Sequence, residues 1–138
     1  MDTSMVDRSQ AKPDPTMTRW IAGEARFQSL VDPAQGHDVG LTAVFFEAGA
    51  RPRPHIHSDE QVLYFVEGRG VVATESETQR TAAGDIVAVP AGTWHWHGAT
   101  PTTAMTHIAI QEALNGSTVE WMEKVDDAQY RRATQTGE

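Results

Sequence analysis

The chain is 138 residues long, 39% hydrophobic, free of cysteine and formally charged at −8, long enough to bury one sizeable core and without an obvious linker to divide it. Lack of cysteine excludes disulfides, thiolate ligands and thiol nucleophiles, a pattern compatible with a reducing cytoplasm. The negative charge sets nucleic acid and anionic membranes aside as partners. No apolar run approaches the roughly 18 residues of a membrane span, and the N-terminus lacks a signal-peptide hydrophobic region, so a cytoplasmic protein acting on a small molecule is the expectation.

Residues 1–18 are polar, contain Pro13 and Pro15 and show no periodicity, which predicts a flexible N-terminal arm ahead of a single domain over 19–138. From Trp20 to Val31 the pattern loosens into strand-like pieces, and Asp32-Pro33-Ala34-Gln35-Gly36 breaks it. His37 lies in this loop with no partner on its face, and a solvated loop histidine is the favoured reading. Val39 to Ala48 alternates as a strand, with Thr42, Val44 and Phe46 on one face and Ala43, Phe45 and Glu47 on the other. In Arg51-Pro52-Arg53-Pro54 the prolines remove backbone donors, so the segment is expected to present His55 and His57 from a stiff edge. Its arginines either attract an anionic substrate or are simply solvated.

Gln61 to Val66 is rich in branched and aromatic residues, and Gly68-Arg69-Gly70 predicts a turn after it. Val71 to Thr74 and Thr78 to Thr81 read as a hairpin across Glu75, Ser76 and Glu77, and Ile86 to Val89 as a short buried strand. The last strand, Thr103 to Gln111, places Met105, His107, Ala109 and Gln111 on one face. Asn115-Gly116-Ser117 matches a glycosylation acceptor, but without a secretory signal it reads as a turn. The tail from Val119 to Tyr130 predicts a helix capped near Asp126 or Asp127, with Trp121, Met122 and Val125 as a plug or interface that nothing requires for chemistry.

Five of the six histidines fall in two clusters and on the strand after them. His55 and His57 stand two positions apart, as do His95 and His97, so on extended backbone each pair shares a face; Gln61 has the parity of the first pair. The clusters lie some 40 residues apart in sequence, and their convergence requires non-local strand pairing. Neutral imidazole is the commonest ligand of divalent metals, and three imidazoles with one oxygen donor make a plausible set. The alternative for any one histidine is a hydrogen-bonded core residue.

These residues resemble the cupins. Gly49, His55, His57, Gln61 and Gly68 follow the spacing of the first cupin motif, over 49–68, and Gly84, Pro90, Gly92 and His95 follow the second, within 84–97. Two positions depart from the common pattern: Gln61 replaces the usual acid, and Ala99 a frequent asparagine. The resemblance implies an all-β cupin (jelly-roll) barrel, which the short strands and Gly/Pro punctuation also favour, with a short C-terminal helix. Three imidazoles and an amide leave a divalent charge uncompensated, which favours bound anions and strengthens Lewis acidity. A bulge could instead turn Glu60 inward, but the register favours Gln61.

The run from Trp94 to Gly116, followed by VEWMEKV and DDAQY, is similar to the small bacterial cupins described as manganese-dependent hydroxynitrile lyases of the (R)-mandelonitrile lyase type. That resemblance implies metal ligands at His55, His57, Gln61 and His95, active-site histidines at His97 and His107, and pocket positions at Thr42, Val44 and Gln111. It also implies one divalent ion, manganese by the subgroup, with zinc, iron and nickel as alternatives. The implied reaction splits a cyanohydrin into an aldehyde and cyanide, with the hydroxyl acidified by the metal, His97 as the base, and His107 and Gln111 toward the leaving cyanide. Trp94 and Trp96 have the opposite parity and read as outward packing rather than pocket wall. The alternatives are a metal-dependent dioxygenase and a non-catalytic metal- or small-molecule-binding cupin. A homodimer or homotetramer is expected, since cupins pair through edge strands.

Overall fold

The computed structural model describes residues 1–113 and 117–135. In chain order its strands are β1 (Ile21–Ala22), β2 (Ala25–Val31), β3 (Val39–Phe46), β4 (Arg51–Pro52), β5 (His55–His57), β6 (Gln61–Thr74), β7 (Thr78–Ala82), β8 (Ile86–Val89), β9 (His95–Ala99), β10 (Met105–Glu112) and β11 (Val119–Trp121). One helix, α1, spans Asp127–Thr134. Of the turn expected at 115–117, Asn115 and Gly116 lie outside the described residues, and no helix among those described is long and apolar enough to cross a membrane.

β6 is the strand on which the others are hung. Its first half lies between β10 and β8, and its second half between β7 and β9. Beyond β10 the sheet continues through β3 to β2, and beyond β9 through β5 to β11. A single bent strand thus joins the two leaves of a curled, all-β jelly roll, with α1 closing one outer face.

The expected turn at Gly68-Arg69-Gly70 is not a turn. β6 runs through it for 14 residues, and the glycines serve a close approach instead. Gly68 has φ +79°, and a Cβ there would collide with the carbonyl oxygen of Ala104. Opposite, the β10 register slips between Thr106 and His107, so that Thr106 faces Glu67 and His107 faces Phe65, leaving Val66 as the extra residue of a bulge. Gly68→Ala is expected to destabilise the protein by at least ~1–2 kcal/mol from the backbone conformation alone, with the carbonyl clash added. An unchanged denaturation midpoint would contradict this.

Two further expectations change. β8 forms where predicted but is buried on one face only: Val89 joins the main core and Val87 packs against it, whereas Ile86 on the other face is 66% exposed. β5 is no edge: β9 pairs it on one side and β11 on the other.

Alternation decides what fills the interior. Val44 and Phe46 of β3 join Leu63, Phe65, Val72 and Met105 in the main core, whereas Ala43 and Phe45 face the other way, onto Ala11. The N-terminal segment reaches them by lying along β2. Lys12 bridges to Phe27, and the Gln28 side chain accepts from the Asp7 amide and donates to the Met5 carbonyl. Trp96 faces outward as expected, packing with Val71, Ala73, Val125 and Tyr130 beneath α1. That helix begins at the predicted cap: Asp126 and Gln129 form a reciprocal capping box. Tyr130 donates its hydroxyl to the Ala99 carbonyl, and Arg51 lies over the Tyr130 ring at 3.9 Å while bonding Asp127 at 3.3 Å. Arg51 is therefore engaged on the outer face rather than held ready for a substrate.

Candidate metal centre

The two histidine clusters meet because β5 and β9 pair antiparallel with His55 opposite His95. Period two then brings His57 and His97 to the same side. The ring centroids of His55 and His95 lie 4.5 Å apart, those of His55 and His57 4.8 Å, and those of His57 and His95 5.6 Å. Gln61, first residue of β6, enters between β8 and β10 and is buried, while Glu60 is exposed. β10 adds His107 and Gln111, and β3 adds Thr42 and Val44, all on the wall of one pocket of about 430 Å³.

Hydrogen bonds fix what two of these imidazoles offer. His55 donates Nδ1–H to the Arg53 carbonyl at 2.8 Å, and His95 donates Nδ1–H to the Thr93 carbonyl at 2.9 Å. A carbonyl only accepts, so in the neutral ring each Nε2 is left with a lone pair. The His95 Nε2 lone pair faces Gln61 Oε1 at 3.1 Å. Two acceptors brought together are what a cation between them would need, and a metal ion fits this donor set.

The same surroundings hold the rings neutral. Burial pushes His55 down to about 3, His57 to about 4 and His107 to about 4, and also lowers His95 and, more strongly, His97. Neighbouring imidazoles add to the lowering at His55, His57 and His97.

The tightest donor cluster is His55, His95 and His97, which each present one nitrogen within 4.8 Å of the others. His57 is not part of it; its Nε2 is buried and without a hydrogen-bond partner among the described residues. His97 and His107 form a fully buried pair, His97 Nδ1 to His107 Nε2 at 3.1 Å, and their outer nitrogens, His97 Nε2 and His107 Nδ1, are likewise without partners there. The Phe46 and Phe65 rings pack on this pair, with centroids 5.2–6.0 Å away. His37 stands apart, bonded to Asp2.

Sequence reasoning missed the mouth of the pocket. Met17 and Ile21 reach it from the N-terminal side and Val119 and Trp121 from β11. Trp121 stacks parallel on Trp20 at 5.1 Å and against His55 at 4.8 Å, while Arg19 and Arg53 cover Trp20. The alternation Val119–Trp121 was the available signal, but three residues are too few to distinguish a strand.

Residues 43–110 match the Cupin domain family. Over 114 residues, 82% of this chain and 87% of the relative, the sequence is 44% identical to an (R)-mandelonitrile lyase from Granulicella tundricola. Over 85 residues, 58% of this chain and 48% of the relative, it is 33% identical to an acireductone dioxygenase from Picosynechococcus. Among solved structures it is similar to a cupin-like protein from Thermotoga maritima, with a TM-score of 0.82 and 29% identity, covering 92% of this chain and 94% of that one. The chain belongs to the cupin family.

Proposed function

We propose that this cupin is a metal-dependent carbon–carbon lyase that splits aromatic cyanohydrins, mandelonitrile among them, into an aldehyde and hydrogen cyanide, and runs the reverse addition at the same site. The observation that carries the proposal is a neutral, buried histidine pair, His97 and His107, set beside a donor group shaped for a cation. Similarity to an (R)-mandelonitrile lyase over most of both chains supports it. His55, His57, Gln61 and His95 would hold the ion, which we take to be manganese. A divalent ion there supplies Lewis acidity, making a nearby hydroxyl easier to deprotonate.

The chain's own residues do the rest. With its Nδ1–H directed to His107 Nε2, His97 turns an Nε2 lone pair into the pocket and takes the hydroxyl proton. As the oxygen becomes a carbonyl, the bond to the nitrile carbon breaks and its electron pair leaves with cyanide. The proton on His97 then passes to cyanide, completing aldehyde plus hydrogen cyanide. His107 supports His97 from behind and shares the charge that develops on it. Phe27, Val44, Phe46 and Ala109 on the pocket wall exclude water and suit an aryl group.

The test is aldehyde release from mandelonitrile by protein reconstituted with manganese. His97→Ala is expected to lower kcat by about 10²–10⁴-fold with bound metal unchanged, and His107→Ala to lower it less. Equal rates in all three proteins would sink the proposal. A second reading, iron-dependent oxygenation of an enol-type substrate, is favoured by the similarity to an acireductone dioxygenase. Oxygen uptake that requires iron would select it.

A further inference from the structure

The three imidazoles proposed as ligands differ in what anchors them. His55 and His95 bond backbone carbonyls through Nδ1, so their tautomers are set by groups that only accept. His57 bonds a side chain: its Nδ1 lies 3.3 Å from Gln111 Nε2. An amide offers a donor at one end and an acceptor at the other, so the partner of His57 can be either.

Gln111 is not free to choose alone. Its Oε1 lies 3.3 Å from Gln61 Nε2, and Gln61 in turn meets His95 Nε2 with its own Oε1. For Gln61 to face a cation with oxygen, its N–H must point outward, and Gln111 must receive it with oxygen. If the other end of Gln111 then donates to His57 Nδ1, the hydrogen of that ring sits on Nε2 and closes it to a metal. Turning the Gln111 amide so that its oxygen, in place of its nitrogen, meets His57 Nδ1 removes the conflict. A carbonyl oxygen has two lone pairs, so Gln111 Oε1 can accept from Gln61 Nε2–H and His57 Nδ1–H together, which turns both ligand atoms inward.

We propose that Gln111 is a positioning residue for the metal centre: its amide oxygen holds the Gln61 carbonyl inward and selects the tautomer of His57 that admits it as a ligand. This rests on the metal-centre assignment above and goes beyond it by making the His57 donor conditional on one side chain of β10. It also gives the unpartnered His57 Nε2 a purpose, since that is the atom released when Nδ1 carries the proton.

The experiment titrates the protein with cobalt(II) and manganese(II), each alone, following affinity by competition with a chelator and geometry by the cobalt absorption spectrum. Gln111→Met keeps the volume but removes the acceptor, and is expected to weaken binding by about tenfold and to change the spectrum. Gln111→Glu supplies an acceptor to both neighbours and is expected to restore the wild-type spectrum, with affinity at or above wild type. The proposal is overturned if Gln111→Met binds within twofold of wild type with an unchanged spectrum, or if Gln111→Glu shows the same altered spectrum as Gln111→Met. Failure of the wild-type protein to bind either ion would overturn the metal centre itself, and this proposal with it.

Discussion

His95→Ala protein is expected to retain no divalent ion and to release aldehyde from mandelonitrile no faster than buffer. The His95 side chain is held at several points. His95 is 1% exposed, stands opposite His55 across the β5–β9 pair, is oriented by the Thr93 carbonyl and turns its Nε2 to Gln61 Oε1. Removing it takes away one donor and leaves Gln61 Oε1 facing a void, so the remaining groups no longer converge. His37→Ala is the control, because that ring bonds Asp2 away from the pocket and its loss should alter neither quantity. Metal content by elemental analysis decides the matter: one ion per chain in His95→Ala would show that the cation sits elsewhere.

Acidifying the metal-free protein from pH 7 to pH 5 is expected to cost it a large share of its stability. His55 and His107 have native pKa values of about 3 and 4, lowered first by burial, against about 6.5 in an unfolded chain. Above pH 6.5 neither state binds the proton, and the two histidines contribute no pH dependence. Below it the unfolded chain gains protons that the folded one refuses, so stability falls with pH, continuing down through the native values. Each such histidine gives a slope of up to about 1.4 kcal/mol per pH unit. Two of them give about 3 kcal/mol between pH 6.5 and 5, set against a total of about 5–15 kcal/mol for an ordinary domain. Urea midpoints measured with a chelator at pH 7.5, 6 and 5 test this, and a flat series would refute it. Saturating metal should shift the loss to lower pH, because proton and ion compete for the same nitrogens.

The donor pairs were legible because extended backbone has a period of two and no bulge falls within either pair: His55 with His57, and His95 with His97, share faces. The same rule carried His107 and Gln111 to one side of β10 and turned Trp96 of β9 to the outer face. Gln61 was legible by parity, and its burial beside an exposed Glu60 agrees. What could not be read depended on partners distant in sequence. Gly68-Arg69-Gly70 looks like a turn from its neighbours alone, and only the approach of Ala104 explains why a strand needs glycine there. Ile86 is apolar enough for a core, yet it stands on the outer face of a strand whose other face, at Val87 and Val89, takes the core position. Trp121 reads as packing until β11 is seen to pair with β5 and bring it over His55.

The pocket mouth is built by the two ends of the chain, Met17 and Ile21 before the cupin core and Val119 and Trp121 after it, whereas His55, His57, Gln61 and His95 all lie within residues 43–110. The doorway and the histidine cluster behind it are thus carried on separate stretches of the chain. Substitutions in the flanking segments can therefore reshape the doorway while the imidazole cradle behind it stays untouched.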